Sequence, residues 1–126
     1  MAQSRVLLVE DDPDIRRMFD LSLQGAGFVV KEAKDGLEAI VLLQLETFDA
    51  IVLDLSMPRV DGMSALDTFQ MMPHGSNVPI IAVTALDDPA VKQRALEAGA
   101  VEFLRKPLPP QRLIDALNLH IKPRDE

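Results

Sequence analysis

The sequence predicts an α/β domain whose parallel strands are covered by helices on both faces. Two observations carry this. Runs of β-branched and apolar residues begin near Val6 (VLLV), Phe28 (FVV), Ala50 (AIVLDL), Ile80 (IIAVTA) and Val101 (VEFL), and a longer helix-like segment follows each, giving five βα units. The two central runs, 50–55 and 80–85, are apolar without a two-residue alternation. That is the pattern of strands buried on both sides.

The elements follow in order. Asp12 before Pro13 sets a capping carboxylate ahead of a proline at the first helical position, and Ile15, Met18, Phe19 and Leu23 form the apolar stripe of that helix. Gly27 punctuates its end. The segment Leu37 to Leu45 is apolar almost all round, which leaves its buried face open. Asp61 with Gly62 reads as a helix-start turn, followed by the stripe Met63, Leu66 and Phe69 and by Gly75. Asp88 and Pro89 repeat the cap and proline pair, and Gly99 closes that unit. Leu113, Leu117 and Ile121 line the last helix, and the tail KPRDE has the look of a frayed terminus. With 126 residues, 48% of them hydrophobic, the chain suits one compact domain over 1–126.

Composition removes several functions. The absence of cysteine excludes a disulfide scaffold, a thiol nucleophile and a cysteine-ligated metal. A net charge of −7 repels phosphate backbones, so direct nucleic-acid binding is not expected. No apolar run approaches a membrane span and the N-terminus turns acidic too early for a secretory signal, which predicts a cytoplasmic protein.

Chemistry in a parallel sheet gathers at the carboxyl ends of its strands. There the sequence places Glu10 and Asp11 after the first run, Asp54 in the third, Thr84 in the fourth, and Lys106 after the fifth. Clustered carboxylates raise one another's proton affinity unless cations neutralise them. Lys106 is one such cation. An all-oxygen donor set points to a second, hard one, and Mg²⁺ held by one or two carboxylates suits it best. A carboxylate facing that ion can attack a phosphoryl group, and Asp54 is the candidate nucleophile.

These residues carry a resemblance. VLLVEDD resembles the acidic pair, VLDLSMPRVDG the phosphoacceptor strand and loop, AVTA the switch threonine, and FLRKP the switch aromatic and lysine of a response regulator receiver domain. The chain resembles that family over essentially its whole length. The resemblance implies a doubly wound, flavodoxin-like (βα)5 fold with strand order 2-1-3-4-5. It implies that Asp54 accepts a phosphoryl group from a phosphohistidine on a histidine kinase or phosphotransfer protein. Asp11, Asp54 and the backbone carbonyl of Ser56 would bind Mg²⁺, with Glu10 assisting through water. Thr84 and Lys106 would contact the phosphoryl oxygens, and Thr84 with Phe103 would switch. Ser56 and Leu86 would flank the path of hydrolytic water. The Lys106–Pro107 bond is often cis in the family. Such a domain is a signalling switch and not an enzyme with turnover. It acts on a downstream protein or output domain, and the family also uses phosphorylation-dependent dimers.

Competing readings meet specific residues. An aspartate-nucleophile phosphatase needs a second acid two positions after Asp54, where Ser56 stands. A flavin carrier on the same fold would place its phosphate against acids and finds no Trp or Tyr to stack the ring. A docking module that is never phosphorylated would lack an acceptor, an acid or the lysine, and none is missing. Asp12 and Asp14 read as first-turn residues of a helix, and His74 and His120, which have no partner in ligand spacing, read as surface residues.

Overall fold

The computed structural model describes residues 3–56, 62–73, 77–85 and 88–121. Strands β1 (Arg5–Val9), β2 (Val29–Ala33), β3 (Ala50–Asp54), β4 (Ile80–Thr84) and β5 (Glu102–Arg105) alternate with helices α1 (Pro13–Gly25), α2 (Gly36–Leu45), α3 (Gly62–Met71), α4 (Pro89–Glu97) and α5 (Pro110–His120). All four strand pairings are parallel and the sheet order is β2-β1-β3-β4-β5. No described helix is long and apolar enough to cross a membrane.

Every residue of β3 and β4 is buried, which is why those runs lack alternation. Successive side chains point to opposite faces. Ile51 and Leu53 therefore join Leu43 of α2, Leu66 and Phe69 of α3 and Ala95 of α4 in one core. Ala50 and Val52 join Phe19 and Leu23 of α1 with Leu113 and Leu117 of α5 in the other. The chain thus passes to one face with α1, to the opposite face for α2 to α4, and back with α5. Strand order reverses at β1, so a crevice opens beyond the carboxyl ends of β1 and β3.

Both expected caps are present. Asp12 accepts hydrogen bonds from the amides of Asp14 (2.9 Å) and Ile15 (3.2 Å), and Asp88 from that of Ala90 (2.9 Å). Asp12 is thereby occupied as a cap, and Asp14 stands in the first turn of α1. Gly27 (φ 99°) and Gly99 (φ 111°) adopt the left-handed backbone that follows a helix end. The open question about α2 resolves in favour of Ala39 and Leu43, which are buried, whereas Leu37, Val41 and Leu45 remain exposed. Asp61, His74 and Gly75 lie outside the described residues. His120 is not a free surface group, because its Nε2 lies 2.7 Å from Oε2 of Glu102 and ties α5 to β5.

Candidate functional site

The crevice at the strand ends holds the three buried polar side chains among the described residues: Glu10, Asp54 and Thr84. Topology puts them there. Glu10 and Asp11 follow the last residue of β1, Asp54 and Thr84 end β3 and β4, and Lys106 follows β5. Backbone bonds prolong the sheet into these loops. The amide of Glu10 donates to Ala33 O (3.1 Å), that of Leu55 to Val83 O (2.8 Å) and that of Lys106 to Thr84 O (2.8 Å).

Carboxylate oxygens of Glu10, Asp11 and Asp54 lie within 4.8 Å of one another. Lys106 Nζ reaches two of them, donating to Glu10 Oε1 at 2.8 Å and to Asp54 Oδ2 at 3.0 Å. The other oxygen of Asp54, Oδ1, accepts from the amide of Ser56 at 2.9 Å, and Glu10 Oε2 accepts from the amide of Asp12 at 3.2 Å. Asp54 is therefore held at both oxygens. Such bonds fix a nucleophile's direction while leaving each oxygen a further lone pair.

The electrostatics show what the cluster lacks. Burial pushes the Glu10 carboxyl up to about 7, with the neighbouring Asp54 adding to the rise and the Lys106 hydrogen bond opposing it. Burial pulls the Lys106 ammonium the other way, yet its bonds to Glu10 and Asp54 prevail and its proton affinity ends above the ordinary value. Among the described residues one ammonium meets this cluster of three carboxylates, and it reaches only Glu10 and Asp54. The remaining negative charge and the oxygen-only donors fit a hard divalent cation.

Ser56 has a part that the sequence did not reveal. Its hydroxyl shares a 3.1 Å hydrogen bond with that of Thr84 and accepts from the amide of Ala85 at 3.2 Å. It bridges the loops after β3 and β4. Phe103 is half-buried against the α2, α3 and α4 face of the sheet. Register pairs it with Ala82, and Arg105 with Thr84, so Phe103 and Thr84 share that face. The Lys106–Pro107 peptide is cis. Leu86 lies outside the described residues. Sequence reading also missed Arg16, whose Nη1 donates to the backbone carbonyl of Glu10 at 2.9 Å. An arginine on a helix gives no spacing signal that would have singled it out.

The comparisons agree with this geometry. The family model for the response regulator receiver domain matches residues 6–118. Response regulator MprA of Mycobacterium avium is 36% identical over 125 residues, covering 97% of this chain, which spans only 54% of that protein's length. Chemotaxis protein CheY4 of Vibrio cholerae superposes with a TM-score of 0.90 at 34% identity, covering 95% of this chain and 100% of that one. The receiver domain of sensor histidine kinase PA1611 from Pseudomonas aeruginosa, solved with a magnesium ion in its active site cleft, gives a TM-score of 0.86 at 32% identity, covering 94% and 98%. A match over most of the chain, with fold and strand-end acids to support it, means that this protein belongs to the response regulator receiver family.

Proposed function

We propose that residues 1–126 act as one receiver domain, and that Asp54 takes a phosphoryl group from a phosphohistidine on a histidine kinase or phosphotransfer protein. The observation that carries this is Asp54 itself, a buried carboxylate at a strand end with Lys106 on one oxygen and two further acids beside it. Asp11 and Asp54 would hold Mg²⁺ with the carbonyl of Ser56, and Glu10 would assist through water. When bound, the ion neutralises charge on the phosphoryl oxygens. An oxygen of Asp54 attacks phosphorus, the P–N bond breaks, and the imidazole leaves with the electron pair. Lys106 follows the charge from the carboxylate to a phosphoryl oxygen, a charge-assisted contact.

Phosphorylation adds about −1.5 to −2 charge and three acceptor oxygens. Thr84 then exchanges its bond to Ser56 for one to the phosphoryl group, and Phe103 turns into the space released on the same face. The surface of α4, β5 and α5 changes and is read by a downstream protein or output domain. The bound group shifts this equilibrium only by its differential contacts in the two states. The test is mass measurement after mixing the protein with Mg²⁺ and a small acyl phosphate. One persistent phosphoryl adduct supports the switch, whereas rapid multiple turnover selects the phosphatase reading.

Two further results are expected. Asp11→Ala weakens Mg²⁺ binding in calorimetric titration far more than Asp12→Ala, which instead loses about 1 kcal/mol of stability as a helix cap. Equal Mg²⁺ affinities would reject the assignment. Secondly, the phosphorylated state is long-lived, because the Ser56 side chain is short and its hydroxyl accepts from the amide of Ala85, while Leu86 offers no hydrogen bond to water. Ser56→Asn and Leu86→Glu speed loss of the phosphoryl group in Mg²⁺ by up to about a hundredfold, the lower end of what a positioned polar group contributes. Unchanged decay in both variants would place control of the lifetime elsewhere.

A further inference from the structure

We infer that Arg16 is a positioning residue for the acidic loop, clamping the peptide that joins Glu10 to Asp11 so that the two carboxylates converge with Asp54. The inference rests on the phosphoacceptor reading above. Arg16 is half-buried on α1 and uses two edges of its guanidinium. Nη1 donates to the Glu10 carbonyl at 2.9 Å, and Nε donates to Glu32 Oε1 at 2.8 Å. Glu32 belongs to β2 and sits in register with Leu8 of β1, so the anchor is a strand and not a loop.

The clamp also counters a second acid. Asp20, one turn beyond Arg16, pushes the proton affinity of Glu32 up and the Arg16 guanidinium opposes that rise, while Gln24, a further turn on, donates to Asp20 Oδ1 at 2.6 Å. Residues 16, 20 and 24 occupy one face of α1. Glu10 is consequently gripped through its amide by Ala33, through its carbonyl by Arg16 and through its carboxylate by Lys106. Rotation of that peptide would swing both acids away from Asp54. A planar fork with two fixed donor directions suits this task in a way an ammonium does not.

Charge and position predict opposite signs here. A guanidinium beside a cation site repels the cation, so its removal would tighten Mg²⁺ binding if charge alone mattered. A positioning role predicts weaker binding. The control is Arg17, which has the same charge one residue along and is exposed.

The experiment is calorimetric Mg²⁺ titration of the parent, Arg16→Gln, Arg16→Lys and Arg17→Gln, with labelling by an acyl phosphate followed across Mg²⁺ concentration. Arg16→Gln is expected to bind Mg²⁺ about tenfold more weakly, as loss of a supporting contact to a metal ligand does. Arg17→Gln stays within about twofold of the parent because its charge is screened. Labelling by Arg16→Gln reaches the parent rate at saturating Mg²⁺, with only the half-saturating concentration raised. Arg16→Lys keeps the charge and the fold but binds Mg²⁺ more weakly than the parent. Parent-like or tighter binding by Arg16→Gln overturns the proposal. Should Arg16→Gln fail to fold, parent-like affinity in Arg16→Lys overturns it instead. A parent that binds no Mg²⁺ and takes no label sinks the phosphoacceptor reading and this inference with it, an outcome visible before any variant is compared.

Discussion

Asp54→Asn takes no label from a small phosphodonor in saturating Mg²⁺, while the parent acquires a single phosphoryl group. The amide lacks the charged oxygen that attacks phosphorus, and acyl phosphate formation needs that nucleophile at one place. Geometry sharpens the expectation. Asp54 Oδ1 and Oδ2 accept from the Ser56 amide and from Lys106 respectively, so an amide nitrogen in either position faces a donor with a donor. Glu10 and Asp11 stay in place and are themselves carboxylates, which makes the variant a stringent test of which acid reacts. Glu10 has one oxygen on Lys106 and the other on the amide of Asp12. Measurement is by intact mass, with circular dichroism to show that the variant is folded. Undiminished labelling would transfer the acceptor role to another acid.

That this site could be read from sequence follows from how parallel sheets are built. A strand buried on both faces tolerates polar residues only where it stops, so acids, a threonine and a lysine at the ends of apolar runs already implied one edge. The caps at Asp12 and Asp88 were legible for a related reason, since capping and a following proline are local effects within one turn. What stayed hidden were contacts with no period. Ser56 and Thr84 are 28 positions apart and meet only because β3 and β4 are neighbours in register. Arg16 meets Glu32 only because α1 crosses back over β2. The face of α2 was hidden by its own composition, since Leu37, Val41 and Leu45 are as apolar as the Ala39 and Leu43 that were buried. Tertiary placement chose between them, and no stripe in the sequence could.

Lys106→Met leaves magnesium-free protein markedly less stable than the parent at pH 8, by on the order of 3 kcal/mol, the scale of stripping one partner from a buried ion pair. The side chains of Glu10 and Asp54 are only 3% exposed, so water replaces little of what the ammonium supplies, and methionine keeps the packing of the lysine stem. The pH dependence has a definite sign. Glu10 is already pushed up from 4.5 to about 7, chiefly by burial, so the folded protein retains a proton there that the unfolded chain gives up. The stability this contributes is fully present below about 4.5 and is lost as pH rises through about 7. Losing Lys106 removes the contact that holds Glu10 down, so the variant gives up that stability over a higher pH range and its deficit narrows as Glu10 is protonated. Saturating Mg²⁺ returns positive charge to the cluster and closes most of the gap. With Mg²⁺ present the variant should accept label on Asp54, yet partner binding should no longer rise on phosphorylation, because the lysine contact that distinguishes the two states is gone. Urea midpoints at pH 6 and pH 8, with and without Mg²⁺, read the first effect, and affinity for a partner before and after labelling reads the second. A variant as stable as the parent at pH 8 without Mg²⁺ would show that Lys106 does not neutralise the buried acids, and full phosphorylation-dependent binding would remove it from the switch.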